Sequence, residues 1–256
     1  MKKTLAIANT LALIVTITIN YLSNIGMVTG NTMKTISDRY SNYFTPAGYA
    51  FSIWGVIYLG LAGFIYYNWS TVNEKGNKVV SNVGWWFFVS CLANSAWVVA
   101  WLSNQLEVSV CIMLLLFTSL IIINRNIATG QHEYPHTKTL LLVKWPFAIY
   151  FGWVSVALIA NVAALLTKLE WDGWGLPEVT WTLIMLCAAG AVNLLVIYTK
   201  RLYAFGIVGA WAVIAIAVAN RAAGSTNSII YTCYSVAAVV LAFIVINLLR
   251  RKSIAA

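Results

Sequence analysis

Charge is the scarcest thing in this chain. Only 9% of its 256 residues are Asp, Glu, Lys or Arg, while 61% are apolar. A soluble domain of this size carries about a quarter charged residues. No Asp, Glu, Lys, Arg or His falls at the middle of any long apolar run. That argues against a proton pump or an ion-coupled carrier, which place ionisable groups at depth, and it leaves no lysine for a retinal Schiff base. Cysteine is limited to Cys91, Cys111, Cys187 and Cys233, each inside an apolar run, in a spacing that fits neither a disulfide framework nor a metal site. The only histidines sit in the segment His132-Glu133-Tyr134-Pro135-His136. Pro135 interrupts the helix that would align the two rings, so a solvated loop is expected rather than a metal site. No phosphate-cradling glycine loop is present.

What is abundant is membrane-length apolar sequence. A span needs about twenty predominantly apolar residues. The runs predict an all-α, polytopic membrane helical bundle of about eight transmembrane helices, at residues 4–28, 47–68, 82–103, 107–124, 141–166, 178–198, 202–220 and 228–249. The first run is too long for a signal-peptide core and lacks an obvious cleavage site, so it reads as a retained span. The net charge of +9 does not indicate nucleic acid, because the basic residues lie in short loops and at the two ends. Eight spans put both termini on one side. Lys2, Lys3, Lys75, Lys78, Arg125, Lys138, Lys144, Lys200, Arg201, Arg250, Arg251 and Lys252 then share that side, against Lys34, Arg39, Lys168 and Arg221 on the other. The bias predicts cytoplasmic termini, with the bacterial inner (plasma) membrane as the expected location.

Twelve tryptophans sort by depth. Trp69, Trp85, Trp86, Trp101, Trp145, Trp171, Trp174 and Trp181 fall near span ends, as interfacial anchors do. Trp54, Trp97, Trp153 and Trp211 lie deeper, where an indole N–H needs protein or a cavity around it. Three of these four have company at helical spacing: Phe51, Trp54 and Tyr58 on a helix starting near Pro46; Asn94, Trp97 and Trp101; and Tyr150, Trp153, Ala157 and Asn161. Two readings follow. Asn94 and Asn161 join helices to one another, or the three faces form an aromatic-walled pocket whose few polar groups orient a flat apolar ligand.

Three segments carry a resemblance. Phe44-Thr-Pro-Ala-Gly-Tyr-Ala-Phe-Ser-Ile-Trp-Gly-Val-Ile-Tyr58, Leu92-Ala-Asn-Ser-Ala-Trp97 and Tyr150-Phe-Gly-Trp-Val-Ser-Val-Ala-Leu-Ile-Ala-Asn161 resemble, in order, the second-, third- and fifth-helix motifs of the tryptophan-rich sensory protein family (translocator protein, peripheral benzodiazepine receptor, TspO/MBR). The chain departs from the pattern at Ala47 and Tyr49, and at Val98-Val99. The resemblance implies a five-helix bundle over residues 1–166, followed at 167–256 by three additional helices. It implies a porphyrin-like, heme-like or sterol-like ligand, with no cofactor required. Trp54, Asn94, Trp97, Trp153 and Asn161 would line or support the pocket, with Phe51, Tyr58 and Tyr150 beside them, Pro46 and Tyr49 at the mouth, and residues 29–46 as a lid. The expected partners are the lipid bilayer, a small planar hydrophobic ligand and, in the assembly, a homodimer. A receptor or carrier is the leading expectation and a membrane transporter or facilitator the alternative. Breakdown of a bound porphyrin ranks last, because nothing resembles a general acid, a nucleophile or a metal site. A purely structural scaffold would fit if the asparagines only join helices.

Overall fold

The structure, a computed structural model, describes residues 2–74, 77–129 and 137–255. Every regular element among them is helical. The His132–His136 segment and Lys75 lie outside the described residues. The helices are α1 (Lys2–Asn24), α2 (Met33–Arg39), α3 (Ile53–Thr71), α4 (Val79–Val83), α5 (Trp86–Leu102), α6 (Leu106–Thr129), α7 (Thr137–Thr139), α8 (Trp145–Lys168), α9 (Glu178–Lys200), α10 (Tyr203–Ala222) and α11 (Asn227–Ala255). Seven of the helical stretches are long and apolar enough to cross a membrane, and α5, at 17 residues, is at the lower limit.

Three boundaries differ from the pattern in the sequence. The helix expected near Pro46 opens as a 3-10 turn at Gly48–Ser52 and becomes α-helical only at Ile53. The Ala47 N–H is spent on the Ala215 carbonyl (3.0 Å), and Ala50 N bonds back three residues to Ala47 (2.9 Å). Phe51 therefore lies in the 3-10 turn, and the spacing from Phe51 through Trp54 to Tyr58 is not that of one α-helical face. The third helix begins at Trp86 rather than 82, because Gly84 takes φ 57 and ends α4. The fourth continues past Arg125 to Thr129. Residues 29–46, expected as a structured loop, contain α2.

The chain divides into two compact units, Met1–Arg39 with Ile53–Val154 and Tyr40–Ser52 with Ser155–Ala256. In the first, α5 packs on α1 and α6, and α3 packs on α1 and on the π turn Leu140–Lys144 that precedes α8. Pro146 explains that turn. A proline has no N–H for the residue four back, and the ladder shifts register just before it, with Trp145 N bonding Leu140 O, five residues away. Gly60 and Gly63 let α3 come close here. A β-carbon at Gly60 would lie 3.0 Å from Pro146 Cβ, and one at Gly63 would lie 3.2 Å from Leu142 Cδ2. Phe64, Phe87 and Phe147 fill the same layer, fully buried, with ring centroids 5.0–5.8 Å apart.

In the second unit α9, α10 and α11 pack on one another. Small residues set the spacing, as they do where helices associate in lipid. A β-carbon at Gly206 would lie 2.6 Å from Ile197 Cδ1, one at Gly190 would lie 3.0 Å from Val236 Cγ1, and one at Gly209 would overlap the Asn193 side chain. Ile197, Ala210, Ala237, Val240 and Ile244 form the core between them. Residues 40–52 are tied to α10: Asn220 Nδ2 donates to the Tyr43 carbonyl (2.8 Å), and the Tyr49 ring meets Trp211 edge-on at 5.1 Å. Trp211, expected to be deep, is 37% exposed.

Candidate functional site

Within the first unit, three helices bring their aromatic faces together. α3 supplies Trp54 and Tyr58, one turn apart and stacked at 5.7 Å. α5 supplies Asn94, Trp97 and Trp101, and the two indoles stack at 6.0 Å. α8 supplies Tyr150 and Trp153. Trp54 is the hub. Besides Tyr58, its ring centroid lies 6.0 Å from Trp97, 6.0 Å from Tyr150 and 6.2 Å from Trp153, the last two edge-on. These are favourable quadrupolar arrangements. Trp54, Trp97, Trp101, Tyr150 and Trp153 are all buried, and Tyr58 is half-buried. Trp101, expected as an interfacial anchor, is thus part of the interior.

A second hub is polar. Asn94, fully buried, accepts through Oδ1 from Asn20 Nδ2 (2.8 Å) and, at longer range, from the Tyr58 hydroxyl (3.5 Å), and donates through Nδ2 to the Tyr150 hydroxyl (3.0 Å). Tyr58 and Tyr150 therefore do two jobs: each ring touches Trp54 and each hydroxyl meets Asn94. Asn20 also donates to Thr16 O (2.9 Å), and the Thr16 hydroxyl lies 3.0 Å from the Cys91 carbonyl and 3.1 Å from Ser95 Oγ. The polar groups lock α1, α3, α5 and α8 into one register, because a broken link would leave amides or hydroxyls unsatisfied in an apolar interior.

The Trp54 indole N–H stands outside this network. It is buried and has no acceptor among the described residues. Above the end of α5, residues 29–39 are fastened by Thr29 Oγ1 and Asn31 Nδ2 to Leu102 O (3.1 and 3.0 Å), with a longer contact from Trp101 Nε1 to Met33 O (3.4 Å).

Of the residues singled out from the sequence, Trp54, Tyr58, Asn94, Trp97, Tyr150 and Trp153 converge. Pro46, Tyr49, Phe51 and Asn161 belong to the second unit. There Pro46 and Phe51 are half-buried, Tyr49 is 42% exposed against Trp211, and Asn161 is buried. Sequence reasoning missed Asn20, Thr16 and Ser95. The signal was Asn9, Thr16 and Asn20 at i, i+7 and i+11 in the first span, a polar stripe in an otherwise apolar helix.

The cluster can stack on a flat apolar surface and offer the Trp54 N–H. It contains no carboxylate, imidazole or amine, and no group of three His, Cys, Asp or Glu able to hold a metal exists among the described residues. Fold and cluster together define an integral membrane helical bundle with a buried aromatic and amide centre. The family model describing TSPO-like proteins matches residues 6–246, and the chain belongs to that family. The match runs through α9 and α10 and most of α11. No curated protein and no solved structure matches the chain.

Proposed function

We propose that the protein is a membrane receptor or carrier that takes up a planar apolar ligand, porphyrin-like or sterol-like, at the Trp54 cluster. The observation that carries this reading is the Trp54 N–H, buried without an acceptor at the meeting point of four other rings. An unsatisfied buried donor costs about 1–3 kcal/mol. A ligand with a carbonyl, pyrrole nitrogen or carboxylate recovers that cost while its flat face replaces ring–ring contacts with ring–ligand contacts. Asn94 acts through Tyr58 and Tyr150, holding the rings in position. Residues 29–39 act as the lid, since three hydrogen bonds to two carbonyls hold them to this end of the site.

The test is titration of protoporphyrin into the purified protein while tryptophan fluorescence is followed. Saturable quenching is expected. The W54F/W153F double variant removes two indoles and the free N–H, and should bind about tenfold more weakly. Unchanged affinity in that variant refutes the assignment.

A further inference from the structure

The second unit contains a cavity of about 660 Å³ that shares no residue with the Trp54 cluster. Its volume is that of a pocket for a drug-sized molecule. Two helix faces form its walls. On α8 they are Ile159, Val162, Ala163 and Leu166, spaced i, i+3, i+4 and i+7. On α9 the same spacing brings Glu178, Trp181, Thr182 and Met185 to the cavity. Trp171 lines it from the connecting loop, its ring 5.2 Å from that of Trp181. Phe44 and Asn42 close another side, and Asn42 Nδ2 reaches Thr167 Oγ1 at 3.4 Å.

The charge of the lining has one sign. Glu170, Asp172 and Glu178 line the cavity, and no Lys, Arg or His does. Asp172 Oδ1 accepts from Trp174 N (3.0 Å), and Trp181 Nε1 donates to Gly173 O (2.7 Å), so the loop that carries the acids is held in place. Glu170 occupies the left-handed position that closes α8, with φ 50, and Trp171 N bonds back to Leu166 O (3.1 Å). Glycine is the residue that fits such a position without strain.

We propose that this cavity binds a lipophilic cation: an apolar or aromatic body seated between α8 and α9, with its positive centre facing Glu170, Asp172 and Glu178. The apolar walls account for the body. The carboxylates account for the sign, and the faces of Trp171 and Trp181 add cation–π attraction. This site is independent of the porphyrin reading.

Tetraphenylphosphonium is the probe, with tetraphenylborate as an anion of the same shape. Both are titrated against the full-length protein in nanodiscs of uncharged lipid, and binding to protein-free discs is subtracted. Saturable binding of the cation at one site is expected, with no competition from the borate. The E170Q/E178Q variant should weaken the cation by about tenfold or more and leave protoporphyrin quenching unchanged. E170G separates charge from folding, because it relieves the left-handed backbone while removing a carboxylate: thermal stability should rise or hold while affinity for the cation falls. A163F, which fills the apolar wall, should abolish binding. No saturable binding of tetraphenylphosphonium to the wild-type protein, equal binding of the borate, or undiminished affinity in E170Q/E178Q would each overturn the proposal.

Discussion

Asn94 is the residue on which most of the first unit's polar interior depends. It holds Asn20, Tyr58 and Tyr150 at once. Asn94→Ala leaves two phenol hydroxyls and an amide short of a partner, and should lower unfolding free energy by about 1–3 kcal/mol, read by denaturation in detergent. Asn20→Ala should cost less, since only one of its links runs to Asn94. A midpoint unmoved by Asn94→Ala would mean that the amide is dispensable. This is also the scale at which the sequence was half legible. Periodicity marked Trp54, Asn94, Trp97, Tyr150 and Trp153 as the inward faces of their helices, because burial imposes a 3.6-residue repeat on each helix separately. It did not reveal that Asn94 pairs with Asn20. Partner choice depends on how helices dock, and no single helix's pattern encodes that. The two readings of the asparagines also turn out to be compatible: Asn94 joins helices, and by doing so it positions the rings.

Among elements, the contact between α3 and the start of α8 sets the distance from Trp54 to Tyr150 and Trp153. It rests on Gly60 against Pro146, a rigid ring that cannot swing aside. Gly60→Ala should destabilise the fold by about 1–3 kcal/mol through overpacking, measured as a lowered thermal midpoint. It should also weaken protoporphyrin quenching, although residue 60 is not among the ring contacts. Normal quenching in a destabilised G60A protein would show that the cluster tolerates a wider spacing. Helix existence was legible for all eight long elements because apolar runs of this length have no other use in so uncharged a chain. Helix ends were not. The apolar run continues across Gly84, where the backbone turns, and the charge at Arg125 suggested an end that α6 does not observe. The 3-10 entry to α3 was hidden as well, since it depends on Ala47 finding the Ala215 carbonyl far along the chain.

For the whole molecule, the distribution of Lys and Arg makes a prediction about orientation, and eight crossings require α5 to be one of them. Reporter fusions at the two ends should both report the cytoplasm. Reporters in opposite compartments would mean an odd number of crossings, and would exclude α5, at 17 residues, as a full span. The family match extends through residue 246, across α9, α10 and most of α11. The π turn at Leu140–Lys144 has a consequence for chain length. A π turn is an α-helix carrying one residue too many. Removing the half-exposed Leu141 would let the ladder close as an ordinary helix, with Tyr150 and Trp153 still facing Trp54. Removing Ile149 would rotate the remainder of α8 by about 100° and turn Tyr150 and Trp153 away. Protoporphyrin quenching should survive the first deletion and be lost in the second. The turn would then be the one place along this helix where the gene can lose a codon without cost to the site.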